Sequence, residues 1–201
     1  MTIKSKKLIT EIKNKDGISP VQVYCTLDGW TRVINRINYE GVSFNQPFAK
    51  YKSGFGALTG NYWLGLENLR NLIASKTYLL RIELESSFIE YDSFYIDTES
   101  NGYQLKVGSK IKGDLYDSLT CFHNGLKFSK YVKIQGVNSG CPTGFHSGWW
   151  YGNCYNANLL SFNSGFGQWF DGSSLSKFYQ NAKMFLRPSS FQLGEKEQII
   201  F

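Results

Sequence analysis

Apolar and polar residues alternate in three consecutive segments, at 78–86, 91–96 and 103–107. In the first segment, leucine and isoleucine alternate with arginine and glutamate, which is typical of a strand with one buried face and one solvated face. An Asn-Gly pair at 101–102 favours a tight turn before the third segment. We predict that the three segments form an antiparallel meander.

A helical spacing of apolar residues lies between 61 and 75, where Leu66, Leu69, Leu72 and Ile73 fall on one face. This pattern predicts a helix whose apolar stripe packs on the core.

Two more strands are predicted, one at 21–25 and one at 183–188. The lysine-rich first 20 residues are predicted to be a solvated end, and residues 191–201 a polar tail.

The segment 118–170 has no regular periodicity and contains no Asp or Glu, while Lys127, Lys130 and Lys133 make it basic. A long, loop-rich segment within a compact protein is usually functional or disordered. Its tryptophans and cysteines argue against disorder, so we predict a functional region.

The chain has 201 residues, of which 42% are hydrophobic and 16% aromatic, which predicts one globular domain rich in strands and turns. The net charge of +6 favours anionic partners. Arginine is scarce in 122–155 and no nucleic-acid motif is present, so nucleic-acid binding is not predicted. No apolar run approaches the roughly 20 residues of a membrane-spanning helix. Residues 1–15 lack the apolar stretch of a secretory signal.

Catalytic chemistry is not predicted either. Neither of the two histidines lies in a known nucleophile motif, and the acid-free segment offers no carboxylate pair. We therefore expect neither enzymatic activity nor a cofactor.

The four cysteines are Cys25, Cys121, Cys141 and Cys154. They include no C-x-x-C pair, so a zinc or redox site is not predicted. Cys141 and Cys154 enclose a loop rich in glycine and tryptophan, and a disulfide there would stabilise the fold by about 3 kcal/mol. On composition alone, four buried free thiols are an equal alternative.

Four ordered blocks of the sequence carry a family resemblance. They are YKSGFGALTGNYWLGLENL at 51–69, DSLTCFHNGLKFS at 117–129, CPTGFHSGWWYGNCYNANL at 141–159 and MFLRP at 184–188. Each resembles a motif of the fibrinogen C-terminal-like domain found in fibrinogen chains, ficolins, tachylectins, tenascins and angiopoietins.

The resemblance implies an α+β domain over residues 8–190, with a twisted, mainly antiparallel sheet and a few short helices. It also implies a loop-built recognition subdomain at about 115–180, a Cys141–Cys154 disulfide and an extracellular location.

In lectin-like members of this family the ligand pocket lies beside the second cysteine of the pair. The resemblance therefore implies a ligand site at Asn153, Cys154 and Tyr155. The peptide bond before this cysteine is commonly cis in lectin-like members, and whether the Asn153–Cys154 bond is cis stays open. Tyr155 stands where these members often have histidine, and its phenol is able to donate a hydrogen bond. Phe145, Phe166 and Trp169 are the expected aromatic walls. A core role and a ligand role are equally open for Phe145 and Tyr155, whereas Trp149 and Trp150 are expected in the core.

Two departures from the family pattern affect the site. The segment 130–140, where most members bind calcium, has no carboxylate, so we predict no calcium there. Lys133 either replaces the ion or is exposed. The cysteine that normally bonds the one at Cys25 is absent, which leaves a Cys25–Cys121 bridge, two free thiols or an intermolecular link open.

Two functions follow from the resemblance. The first is lectin-like binding of acetylated or anionic glycans, of the innate-immune type. The alternative is a protein ligand in extracellular matrix or receptor signalling. The oligomeric state stays open.

Overall fold

The computed structural model describes residues 8–12, 20–37, 41–129, 140–161, 167–173 and 176–192. Its helices are α1 (Phe48–Ser53), α2 (Leu66–Ile73) and α3 (Gly140–Phe145), with a 3-10 turn at Glu99–Asn101. Its strands are β1 (Leu8–Ile12), β2 (Val21–Cys25), β3 (Thr31–Ile37), β4 (Phe55–Gly56), β5 (Tyr62–Trp63), β6 (Tyr78–Leu84), β7 (Ser87–Ile96), β8 (Leu105–Val107), β9 (Lys110–Gly113), β10 (Ala157–Asn158), β11 (Gly167–Phe170), β12 (Ser176–Tyr179) and β13 (Asn181–Pro188).

The main sheet is antiparallel and has the strand order β1-β2-β3-β13-β6-β7-β8. The predicted meander is confirmed as β6-β7-β8, and the strand predicted at 21–25 is β2. Along β6 the residues Leu80, Ile82 and Leu84 are buried and alternate with partly exposed charged residues. The predicted α+β class is therefore the observed one.

Strand β13 lies between β3 and β6 and pairs with both. The strand predicted at 183–188 is thus confirmed, and it occupies the middle of the sheet. Because β3 and β13 are far apart in sequence, the centre of the sheet depends on a long-range contact between the two ends of the chain.

The predicted helix forms as α2, and the four residues of its apolar stripe are all buried. Gly65 precedes the helix with φ +102°, a backbone conformation that glycine adopts without strain. A Cβ atom at Gly65 would lie 2.6 Å from the backbone nitrogen of Gly54. The glycines therefore allow the chain before α2 to pass directly against the end of α1.

An aromatic cluster joins the main sheet to the irregular half of the chain. The indole of Trp63 donates a hydrogen bond to the Tyr51 carbonyl at 2.8 Å, and its ring lies 5.9 Å from that of Phe128. Phe128 in turn packs on Trp150, with ring centroids 5.1 Å apart. The sheet thereby supports the region that contains the two disulfide-forming cysteines.

The start of the chain differs from the prediction. Residues 8–12 form β1, which pairs with β2 at the edge of the sheet. This strand was not predicted from the sequence, although the side chains of Ile9 and Glu11 are exposed, as expected of a solvated end. None of the helices in the described residues has the length and apolarity that a membrane crossing requires.

Candidate functional site

The Cys141–Cys154 disulfide that the resemblance implies is present, with Cα atoms 5.1 Å apart. Cys141 lies on α3 and is buried, whereas Cys154 is partly exposed. The bond fixes α3 against the segment that follows Cys154. This brings Phe145, at the end of α3, next to Tyr155.

His123 holds the chain on the other side of Cys154. Its Nδ1–H donates to the Trp150 carbonyl at 2.7 Å, and its Nε2 accepts from the backbone N–H groups of Asn156 and Ala157 at 3.2 and 2.9 Å. Burial lowers the pKa of His123 to about 4, so the ring is neutral near pH 7. A neutral ring is required, because one nitrogen donates while the other accepts.

A second buried network supports the same segment. The side-chain amide of Asn158 donates to the Ser147 hydroxyl at 3.1 Å and to the Tyr151 hydroxyl at 2.8 Å. Its carbonyl oxygen accepts from the Leu160 backbone N–H at 3.0 Å. Sequence reasoning missed Ser147, Tyr151 and Asn158, although Asn158 lies in the N-x-N-L part of a matched block.

Phe145, Tyr151 and Tyr155 form a compact aromatic group beside the disulfide. The rings of Phe145 and Tyr155 meet edge to face with centroids 4.5 Å apart, and Tyr151 lies 6.4 Å from each of them. Tyr151 is buried, while Phe145 and Tyr155 are half-buried. Burial raises the pKa of Tyr155 to about 12, so its phenol remains a hydrogen-bond donor at physiological pH.

We call the partly exposed edge of this group the aromatic rim and define it as Phe145, His146, Asn153 and Tyr155. It combines two aromatic side chains with polar groups that donate or accept hydrogen bonds. Such a surface is able to hold an apolar group against the rings and a polar group beside them. The segment 118–170, to which the rim residues belong, contains no acidic residue.

The Asn153–Cys154 peptide bond is trans, since the described residues contain no cis bond. The cis geometry that is common in lectin-like members is therefore not adopted at this bond. Cys154 instead has φ +61°, and its carbonyl accepts from the Gly152 N–H at 3.2 Å. The left-handed residue and this short contact form a tight turn at Cys154.

The tryptophans are core residues. Trp149 and Trp150 are each 1% exposed, and the Trp150 indole donates to the Tyr103 carbonyl at 2.8 Å. The prediction that this pair belongs to the core is confirmed. Trp169 is also fully buried and donates to the Tyr116 carbonyl at 2.8 Å. It therefore supports the region from behind and offers no surface to a ligand in this conformation.

Other predictions fall outside the described residues. Phe166 lies there, as do residues 130–139 with Lys133, so the expected wall and the expected loss of calcium stay predictions. Within the described part of the chain, no group of three or more His, Cys, Asp or Glu side chains is placed to hold a metal ion.

The two remaining cysteines are free thiols, so the Cys25–Cys121 bridge is not formed. Cys25 is buried and its Sγ lies 3.5 Å from the Thr31 hydroxyl, whereas Cys121 is exposed. Burial raises the pKa of the Cys25 thiol.

Curated proteins similar to this chain include protein scabrous of Drosophila melanogaster, which is 32% identical over 77% of this chain and 20% of that protein. Tenascin of Gallus gallus is 32% identical over 92% of this chain and 11% of that protein. Human angiopoietin-related protein 1 is 38% identical over 70% of this chain and 30% of that protein. The chain thus spans less than a third of the length of these relatives.

Solved structures share the fold. The fibrinogen-like globe domain of human ANGPTL2 has a TM-score of 0.77 and 30% identity, over 93% of this chain and 94% of that one. Lamprey fibrin D-dimer, complexed with the peptide Gly-His-Arg-Pro-amide, has a TM-score of 0.78 and 23% identity, over 97% of this chain and 74% of that one. The family model for the C-terminal globular domain of fibrinogen beta and gamma chains matches residues 3–189. Because this match covers nearly the whole sequence, the chain belongs to the fibrinogen C-terminal domain family.

Proposed function

We propose that this chain is a non-catalytic, extracellular recognition domain that binds a protein ligand at the aromatic rim. The observation that carries the proposal is the edge-to-face pair of Phe145 and Tyr155, fixed beside the disulfide and half-open to solvent. Aromatic side chains with a polar tip are enriched at the centres of protein interfaces. A rigid pair also loses little side-chain entropy when it binds.

The charge of the segment that contains the rim supports an acidic partner. No acidic side chain occurs in 118–170, so a basic peptide would find no carboxylate within that segment. The peptide Gly-His-Arg-Pro-amide, which accompanies the lamprey fibrin structure, is basic. We therefore expect that peptide not to bind this chain, and we expect ligands with acidic and apolar side chains to be preferred.

Lectin-like binding of an acetylated or anionic glycan is the second candidate. The Tyr155 phenol, whose burial keeps it protonated, is a suitable donor to an acetamide carbonyl, and Phe145 offers a face for the methyl group. The trans Asn153–Cys154 bond places this candidate second, because the bond that turns a backbone N–H toward the acetyl group in lectin-like members is not cis here.

One pair of measurements separates the two candidates. Random peptides displayed on phage are selected on the folded, oxidised protein, and the enriched peptides are synthesised for calorimetry. N-acetylglucosamine, N-acetylneuraminic acid and their non-acetylated parents are titrated in parallel, with calcium and then with EDTA. We expect selected peptides to be acidic and apolar, and the sugars not to bind.

The variant Tyr155→Ala tests the site. It removes a half-buried phenol from the rim, and we expect peptide affinity to fall at least about tenfold. Tyr95→Ala is the matched control, because Tyr95 is an exposed tyrosine on β7 and is not one of the rim residues, and it should leave the affinity unchanged. Acetyl-dependent sugar binding that Tyr155→Ala abolishes would establish the second candidate instead. Equal losses in both variants, or no binding of any probe, would contradict the site.

A further inference from the structure

A cavity of about 670 Å³ lies on the face of the main sheet opposite the core. Along β13, Met184 points to the core while its neighbours Lys183 and Phe185 line the cavity. On β6, Ile82 is in the core and Glu83 lines the cavity in the same way. The alternation of strand side chains therefore separates this cavity from the core, and no rim residue lines it.

Arg32, on β3, is a buried cation in the wall of this cavity and is only 8% exposed. One terminal nitrogen of its guanidinium donates to the Leu58 carbonyl, and the group lies 4.2 Å from the centroid of the Tyr24 ring. Its Nε has no hydrogen-bond partner. Among the described residues, no carboxylate lies within 4.0 Å of this guanidinium.

An arginine side chain keeps its charge, so burial without an anion leaves a desolvated cation. Burial lowers the pKa of Arg32, and the groups that oppose this lowering are the phenols of Tyr24 and Tyr62, with no carboxylate among them. The contacts with the Leu58 carbonyl and the Tyr24 ring offset only part of the cost of removing this cation from water. A bound anion would complete the compensation.

The neighbouring strands add a second cation. Lys183 lies across from Asn35 on one side and from Glu83 on the other, and all three line the cavity. Glu83 forms an ion pair at 2.8 Å with Arg81, but Arg81 also pairs with Glu90 at 2.5 Å, so its single charge is shared between two carboxylates. Among the residues that line the cavity, two cations, Arg32 and Lys183, outnumber one carboxylate, that of Glu83, so the lining has a net charge of +1.

Asn35 supplies another incomplete polar group. It is 2% exposed, and its amide nitrogen donates to the Gly60 carbonyl at 2.6 Å, while its side-chain oxygen has no partner. Buried polar atoms without partners are uncommon in native structures. Arg32 and Asn35, which carry two such atoms, both line this cavity, but the Asn35 oxygen is an acceptor, so of the two residues it is the Arg32 guanidinium that suits an anion.

The rest of the lining includes apolar side chains, among them Ile37, Leu58 and Phe185. The volume of the cavity lies within the range of about 300–1,000 Å³ that is usual for small-molecule sites. A surface with cations at one part and aliphatic and aromatic groups at another matches a ligand with an anionic head and an apolar body.

We infer that this cavity binds an amphipathic organic carboxylate, with the carboxylate beside Arg32 and Lys183 and the alkyl chain against Leu58 and Phe185. The site is independent of the aromatic rim and adds a small-molecule ligand to a domain that recognises a second partner elsewhere. Its chemistry needs both parts of the ligand. A neutral alcohol of equal length lacks the charge, and acetate lacks the apolar body.

The test uses octanoate, 1-octanol and acetate as probes of the oxidised protein, with affinities from calorimetry and from backbone amide shifts in NMR spectra. We expect octanoate to bind with saturable shifts at residues on β3 and β13. We expect octanol to bind at least about tenfold more weakly, because it loses the charge-assisted hydrogen bonds. Acetate is expected to give no saturation, because it buries almost no apolar surface.

Lys183→Gln is the decisive variant, because Lys183 is only partly buried and its removal leaves the packing of the sheet intact. It should weaken octanoate binding at least about threefold, and Arg32→Gln at least about tenfold. Arg187→Gln is the matched control, since Arg187 lies on the same strand but stacks on Trp30 at 4.4 Å and does not line the cavity. It should leave the affinity unchanged.

Three results would overturn the inference. If octanoate and octanol bind with equal affinity, the negative charge of the ligand does not contribute to binding. Arg187→Gln and Lys183→Gln with equal losses would make the attraction a general effect of surface charge. No saturable shift with octanoate would show that the cavity does not bind this class of ligand. The affinity of Arg32→Gln is interpreted only if its amide spectrum shows that the variant is folded. If it is not folded, the result for Lys183→Gln decides the test. Tyr155→Ala should not change octanoate binding, which keeps this test separate from that of the rim.

Discussion

At the scale of single residues, His123 couples protonation to the fold. Its buried ring binds three backbone groups that position the segment after Cys154, and its pKa of about 4 lies below the ordinary value of 6.5. The unfolded chain therefore binds a proton at a higher pH than the folded protein does. The stability that His123 contributes is present above about pH 6.5 and is lost as the pH falls toward 4.

We expect this histidine to reduce the free energy of unfolding by about 3 kcal/mol between pH 7 and pH 4, because one pKa unit corresponds to about 1.4 kcal/mol. Urea titrations across this pH range measure the change. His123→Gln should be less stable at pH 7 and should lose this part of the pH dependence. His146→Gln is the control, because it leaves the contact with the Trp150 carbonyl intact and should keep the slope. An unchanged slope in His123→Gln would exclude the linkage.

At the scale of elements, the passage from α1 to α2 depends on glycines in close contact. Gly65 has φ +102°, and a Cβ there would lie 2.6 Å from the Gly54 nitrogen. Gly65→Ala adds both backbone strain and a clash with main chain, so we expect it to lower the free energy of unfolding by more than about 2 kcal/mol. Urea denaturation measures this loss.

Gly60→Ala is the matched control in the same segment. The nearest atom to its added Cβ is 4.0 Å away, and its φ is not in the left-handed region. We expect a change within about 0.5 kcal/mol, as for most substitutions at unstrained surface positions. Equal effects of the two variants would mean that the segment adjusts its backbone and that the close approach is not required.

The elements also show how far sequence reasoning reached. The meander and α2 were predictable because their buried residues recur at the periods of a strand and a helix. Strand β3 was not, because Arg32, Asn35 and Arg36 are buried within it and hide the apolar alternation. Its position depends on pairing with β13, which is distant in sequence, as well as with the neighbouring β2.

The candidate site was predictable in composition but not in geometry. The motif located Phe145, Cys154 and Tyr155 in the sequence, and the structure brings them together around the disulfide. The trans bond at Cys154 and the full burial of Trp169 were not predictable, because both depend on packing between distant segments. The cavity at Arg32 had no sequence signal, since its lining comes from separate strands and the turn at 57–60.

At the scale of the whole molecule, the disulfide and the aromatic core are two separate ways of holding the recognition region on the sheet. Cys141 and Cys154 close a loop with a sequence separation of 13. In the chain-entropy model this closure stabilises the folded state by about 3 kcal/mol. The buried tryptophans within the loop are held by packing and by hydrogen bonds such as that of Trp150 to Tyr103.

Removing the disulfide separates these contributions. We expect Cys141→Ser with Cys154→Ser to lower the free energy of unfolding by about 3 kcal/mol, measured by urea denaturation of the oxidised protein. A reducing agent should bring the unaltered protein to nearly the same value and should leave the double variant unchanged. Cys121→Ser is the control, because this exposed thiol is unbonded and its loss should change little. If the double variant is as stable as the parent, packing of the tryptophans alone holds the loop. The rim would then keep its geometry without the bond, and peptide binding would survive reduction.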